Sequence, residues 1–271
     1  MNVSVTYLRA SQRAAAAFLR HYSSSFGLAS SFLSSQVSQD IHTLYAVVRI
    51  ADEIVDGAAT TDIAAQLQAY ESQILQAPQH SFHTDPVVHA YAELARRISI
   101  PTAQMAAFFQ AMGQDIQPRT FDHDDLAAYV YGSAEVIGLL CLRIFLDGNP
   151  GTAVQQKGAR QLGNAFQIIN FVRDIQADQV LGRNYFGEFD EAAKQARLTQ
   201  AIADIDTALA TTKDLPQRCV LAIHAAGILY RNLAEKLLQI PLDILYSERI
   251  RIPGPRKLQC VVTQLPASLR R

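Results

Sequence analysis

Tryptophan is absent, and cysteine and methionine occur only three times each. Cys141, Cys219 and Cys260 are far apart, odd in number and without C-x-x-C spacing, which excludes a disulfide framework and a cysteine zinc site and fits a reducing compartment. No excess of one charge is present: 24 basic against 25 acidic side chains leave −1. The dense basic surface of a nucleic-acid-binding protein is therefore missing, and no nucleic-acid partner is expected. No run of about 18 uncharged apolar residues occurs, so no segment is expected to span a bilayer. The apolar residues 14–19 lie between Arg13 and Arg20, too few for a span and without a convincing cleavage site. Alternating stretches rich in β-branched residues are nearly absent, as are internal repeats, low-complexity tracts and long linkers.

What is present is a chain of 271 residues, 49% hydrophobic, with apolar side chains recurring at three- and four-residue steps. This periodicity predicts an all-α protein with helices near 3–22, 38–56, 61–76, 84–98, 101–115, 123–146, 151–179, 188–213 and 216–246. A single domain covering residues 1–271 is expected. Pro78, Pro86, Pro101, Pro118, Pro150 and Pro216 fall between these segments or in first turns, where the missing N–H costs little. Residues 251–257, with Pro253 and Pro255, read as an extended tail. Charge is uneven: residues 1–22 carry +3 and residues 247–271 carry +5, which leaves −9 for the middle.

Two aspartate pairs are spaced i, i+4: Asp52 with Asp56 and Asp174 with Asp178. On a helix each pair shares one face and can share a hard divalent cation. Chance alone supplies about one such pair in a chain with 17 aspartates, so the surroundings decide. Tyr45, Arg49, Asp52 and Asp56 form a polar stripe on an otherwise apolar helix; Gln167, Asn170, Asp174 and Asp178, with Arg173 beside them, form another. Two such helices should be buried around a polar cavity. Burying like charges is costly unless cations or donors compensate, and Mg²⁺ bridging to a diphosphate would do so. Arg49, Arg173, Arg183 and the basic tail would then contact the anion; alternatively these arginines are structural partners of the aspartates.

Small residues at 132, 133, 134 and 138 permit close approach of a helix or a ligand, and Ser23-Ser24-Ser25-Phe26 is a capping cluster or a binding segment. His80, His83 and His89 read as a solvated loop, and Met105, Phe108, Phe109 and Met112 as core or cavity lining.

Taken in order, Tyr45-x-x-x-Arg49-x-x-Asp52-x-x-x-Asp56, Tyr129-x-Tyr131-Gly132-x-Ala134, and Gln167-x-x-Asn170-x-x-Arg173-Asp174-x-x-x-Asp178 followed by Gly182-Arg183-x-Tyr185 resemble the squalene and phytoene synthase family of head-to-head prenyl transferases. The segment from Ser133 to Gly138 looks most like bacterial phytoene synthases. The resemblance implies an isoprenoid synthase helical bundle with a central cavity, prenyl diphosphate substrates, Mg²⁺ (with Mn²⁺ as a substitute) and no nicotinamide cofactor. By resemblance Asp52, Asp56, Asn170, Asp174 and Asp178 are metal ligands. Tyr22, Ser25, Arg49, Tyr45, Gln167, Arg173, Tyr230 and Arg256 or Lys257 contact substrate, and Tyr129 and Tyr131 line the reaction centre. Glu135 is either catalytic or structural, and Arg249, Arg251 and Arg256 compete for one tail position.

The chain departs from many relatives at Gln176-Ala177, which removes one acidic side chain from the second motif, and the phosphate contact that some relatives make through histidine falls near His21 and Tyr22. Small residues at Gly27, Ala29 and Ser30 suit two twenty-carbon substrates and a forty-carbon product; a thirty-carbon product from farnesyl diphosphate is the alternative. A class I cyclase would carry Asp-Asp-x-x-Asp, which is absent, and the non-enzyme alternative is a silent isoprenoid-diphosphate-binding scaffold. The basic tail suits contact with anionic lipid, and a cytoplasmic protein at the inner face of the membrane is expected.

Overall fold

A computed structural model describes residues 3–265. Its helices are α1 (Val3–Tyr22), α2 (Ser24–Ser30), α3 (Ser35–Asp56), α4 (Ile63–Gln76), α5 (Pro86–Ile98), α6 (Thr102–Gln114), α7 (His123–Val130), α8 (Val136–Phe145), α9 (Ala153–Val180), α10 (Glu191–Leu209), α11 (Gln217–Leu238), α12 (Leu242–Leu245) and α13 (Gly254–Gln264). A π-helical turn, Tyr131–Glu135, joins α7 to α8. Two two-residue strands, β1 (Arg119–Thr120) and β2 (Arg183–Asn184), pair in parallel, Arg119 opposite Arg183.

Helix ends follow local chemistry. The Asp85 carboxylate accepts from the Val87 and Val88 amides with Pro86 in the first turn, and Thr152 and Gln155 close a reciprocal capping box that starts α9. Gly57, at φ 134°, lets the chain leave α3 directly after Asp56.

Four expectations need correction. The span 216–246 breaks at Pro241, whose missing N–H cannot continue α11, so α12 is separate. The tail is helical from Gly254 onward, because Pro255 sits in the first turn of α13, where no helical N–H partner is required. Residues 24–30 form α2, started by the Ser23 side chain accepting from the Phe26 amide at 3.1 Å. His89 belongs to buried α5 and packs edge-on against Tyr7, so it is not solvated.

One apolar core joins α3 to α8 through Leu44, Val47, Ile74, Tyr91, Phe108 and Leu140; a second joins α9, α10 and α11 through Ile169, Val172, Leu198, Ile205 and Leu237. Phe108 and Met105 are fully buried, while Met112 reaches the cavity between the two cores. The segment His123–Phe145 has the length and apolarity to cross a bilayer, yet it packs against α6 and α9 as an inner wall. Glycine makes this packing close: a side chain at Gly138 would overlap the Ala159 carbonyl, and one at Gly163 the Ala134 carbonyl.

Candidate active site

A cavity of about 690 Å³ lies between the two cores. All four residues of the α3 stripe, Tyr45, Arg49, Asp52 and Asp56, line it, as do Gln167, Asn170, Arg173, Asp174 and Asp178 of α9. The i, i+3, i+4 spacing turns each polar row toward the same space while Val47, Ala51 and Val55, or Ile169, Val172 and Ile175, face the cores. Away from the aspartates the wall becomes apolar through Leu33, Ile137, Cys141, Phe145, Leu162 and Leu215.

The carboxylates repel one another across the cavity. Burial, followed by the Asp56 charge, pushes Asp52 up to about 7; burial, followed by Asp174 and including Asp56 from the opposite helix, pushes Asp178 up to about 7. Arginines partly compensate. Arg173 grips Asp174 with both arms of its guanidinium, at 2.8 and 2.5 Å, and Arg249 reaches the same carboxylate at 2.7 Å. Arg183 donates to Asp56 at 2.6 Å. Arg49 pairs with Glu53, stands 3.7 Å from Asp52 and lies over the Tyr22 ring at 4.4 Å. The arginines are structural partners of carboxylates here, and Arg49, Arg173, Arg183 and Arg249 also line the cavity.

Asp115, at the end of α6, carries no periodic signature and was not anticipated. Its buried carboxylate accepts from Tyr129 at 2.5 Å and Tyr185 at 3.0 Å, and its backbone carbonyl accepts from Arg183. Burial raises it to about 6 despite the Arg183 charge. Across the cavity Tyr230 stacks on Phe166 with centroids 3.9 Å apart, and burial pushes the Tyr45 hydroxyl up to about 12.

Other anticipated residues lie elsewhere. Tyr131 is outside the cavity, its ring half exposed beneath Arg160, because residues two apart on a helix point to nearly opposite sides and Tyr129 holds the inner one. Ser25 and Gly27 do not line the cavity: Gly27 faces Leu19, while Ser23, Phe26, Ala29 and Ser30 of the same segment turn inward. Arg256 borders a separate surface hollow with Asn232 and Gln259, so Arg249 is the tail arginine at the aspartates. Lys257 donates to Ser24 at 2.7 Å, within electrostatic reach of Arg173. Glu135 accepts from Arg160 and Asn164 and ties the π-helical turn to α9, a structural task.

Among the described residues no three histidine, cysteine or acidic side chains converge on a preformed cation site. The donor set nevertheless fits a divalent cation that arrives with a diphosphate. Hard oxygen ligands crowd the mouth, burial and neighbouring carboxylates push Asp52 and Asp178 up, a cost that a bound cation would offset, and the buried Asn170 Oδ1 has no protein partner among the described residues.

Comparison with known proteins agrees with this architecture. Solved structures of similar shape include a dehydrosqualene synthase in complex with a ligand (TM-score 0.80, 20% identity, 96% of this chain and 97% of that one) and squalene synthase HpnC from Alicyclobacillus acidocaldarius (TM-score 0.74, 21% identity, 85% and 94%). The fold is that of the isoprenoid synthases. The squalene/phytoene synthase family model matches residues 19–190. A phytoene synthase of Mycobacterium bovis is 30% identical over 84% of this chain and 82% of its own length, and a 15-cis-phytoene synthase of Paracoccus sp. is 29% identical over 79% and 78%. The chain belongs to the squalene/phytoene synthase family and is a prenyl transferase.

Proposed function

We propose that this enzyme joins two prenyl diphosphates head to head, two geranylgeranyl diphosphates giving phytoene. The observation that carries this reading is one continuous cavity whose mouth is walled by two facing aspartate helices and whose depth is apolar. Diphosphate leaves one substrate, the double bond of the second attacks the allylic cation, and proton loss closes a cyclopropane. The remaining cyclopropylcarbinyl diphosphate then ionises, and rearrangement with a final proton loss gives the hydrocarbon.

Asp52, Asp56, Asn170, Asp174 and Asp178 would hold Mg²⁺, or Mn²⁺ in its place. When bound, the metal supplies positive charge against the departing diphosphate. Arg173 and Arg249, now on Asp174, and Arg49, now on Glu53 and near Asp52, would supply guanidinium donors to diphosphate oxygens. Tyr45, Tyr129 and Tyr230 set aromatic rings, and Gln167 an amide, against the reacting carbons, where ring faces favour positive charge. No nicotinamide takes part. Outside the cavity, Arg251 and Arg256 flank the exposed Leu258 and Val262 of α13, a combination suited to an anionic bilayer and to a cytoplasmic enzyme working at its inner face.

Incubation with geranylgeranyl or farnesyl diphosphate and Mg²⁺, followed by mass analysis of the extracted hydrocarbon, tests the reading. A forty-carbon triene-cored product supports it, thirty-carbon product alone reassigns the substrate, and binding without turnover makes the protein a scaffold.

A further inference from the structure

The cavity has a definite far end, marked by the ends of four helices. Phe145 is the last residue of α8, Gln155 and Gly158 lie in the first two turns of α9, and Ala222 lies in the second turn of α11. All four line the cavity, as do Thr211 and Thr212 of the tight turn Ala210–Thr212 that follows α10. The two aspartate pairs sit at the other end, in the last turns of α3 and α9.

At the far end α9 meets that tight turn through one side chain. A carbon added at Gly158 would overlap the Thr211 hydroxyl and stand 3.0 Å from its methyl, so Thr211 lies directly on the bare backbone of α9. Its hydroxyl donates to the Ala208 carbonyl at 2.7 Å, which holds the side chain in place. The Thr212 hydroxyl donates to the Leu209 carbonyl at 2.7 Å and meets His224 Nε2 at 3.2 Å, which ties the turn to α11. Both hydroxyl protons are spent on carbonyls, and the turn is pinned on two sides. It therefore presents the cavity with a surface of fixed shape, and close-packed surfaces of that kind resist even one extra methylene.

We propose that Thr211, seated on Gly158, is the chain-length stop: a prenyl tail whose diphosphate sits at the aspartates ends against it, and the bulk of this side chain sets the longest tail admitted. The inference rests on the reading of the aspartate mouth as the diphosphate site.

Competition between geranylgeranyl diphosphate and its twenty-five-carbon homologue, geranylfarnesyl diphosphate, tests it, with Mg²⁺ present and the consumption of each followed by mass. Thr211→Ala removes the hydroxyl and the methyl from the wall, and alanine is well tolerated in a helical turn. This variant should raise consumption of the longer substrate relative to the shorter about tenfold, the scale of one methylene in an apolar pocket. Thr211→Val keeps the shape and loses only the hydroxyl, and should keep the native ratio. A native ratio in Thr211→Ala, or an alanine-like ratio in Thr211→Val, overturns the inference and leaves the function standing. If the native protein consumes no prenyl diphosphate at all, the head-to-head reading fails, and this inference with it.

Discussion

Arg183 and Asp56, 127 residues apart in sequence, meet at 2.6 Å, with the arginine buried and the aspartate open to the cavity mouth. The same guanidinium donates to the backbone carbonyls of Val55 and Asp115. A cation that follows the second aspartate pair therefore orients the last carboxylate of the first pair, and the two motifs are mechanically joined before any ligand enters.

Removing that link should cost stability as well as activity. Arg183→Ala leaves the buried Asp115 carboxylate without its nearest charge and frees Asp56. We expect a loss of about 3 kcal/mol in urea unfolding, in line with a broken buried pair. Arg183→Lys, with one donor centre in place of a fork, should recover only part of it. Unchanged unfolding in the alanine variant would show that Arg183 is not the clamp described.

Acidity follows from the crowded mouth. Ordinary carboxylates in the unfolded chain release protons near 3.8, whereas Asp52 and Asp178 in the folded, metal-free protein hold theirs up to about 7. Between these values the native state binds more protons than the unfolded state, so these groups make stability fall as pH rises from about 4 to about 7 and add no further loss above that. With a chelator present, Asp52→Asn should shrink the difference between urea midpoints at pH 5 and pH 8. An undiminished difference would remove Asp52 as a cause.

Chain length is testable from the wall. Ala29 faces the cavity from α2, so Ala29→Phe should shorten the apolar end and reduce forty-carbon relative to thirty-carbon product by about tenfold or more when both substrates are supplied. A melting curve of the variant separates this from overpacking, which typically costs about 1–3 kcal/mol. An unaltered product ratio would place the length limit elsewhere.

Gly138→Ala should be poorly tolerated, because its new carbon would overlap the backbone carbonyl of Ala159, which cannot swing aside as a side chain can. Destabilisation of about 1–3 kcal/mol in thermal or urea unfolding is the expected outcome. Wild-type stability would mean that α8 and α9 can move apart freely.

The polar stripes of α3 and α9 were legible in sequence because period-3.6 placement of Tyr45, Arg49, Asp52 and Asp56, or of Gln167, Asn170, Asp174 and Asp178, is a local property that folding preserves. The all-helical fold was legible for the same reason. Asp115 was not, since its partners Tyr129, Arg183 and Tyr185 come from two other segments and its own neighbourhood has no repeating pattern. Tyr131 was grouped with Tyr129 through a shared motif, although helical geometry sends the two rings to different sides. The β1–β2 pair, two residues on each side, is too short to leave an alternating pattern, and α13 was hidden by a proline whose effect depends on its place within the first turn.

α9 lines the cavity from Gln155 to Asp178, roughly 35 Å at the helical rise per residue. On the head-to-head reading proposed above, one uninterrupted rod would grip diphosphate at Asp174 and Asp178 and face the hydrocarbon at its other end. Such a rod works as a gauge: the distance from leaving group to chain end is fixed by residue count along a stiff element. On that reading, exchanging side chains near Gln155 and Gly158 should change product length without disturbing the aspartate end.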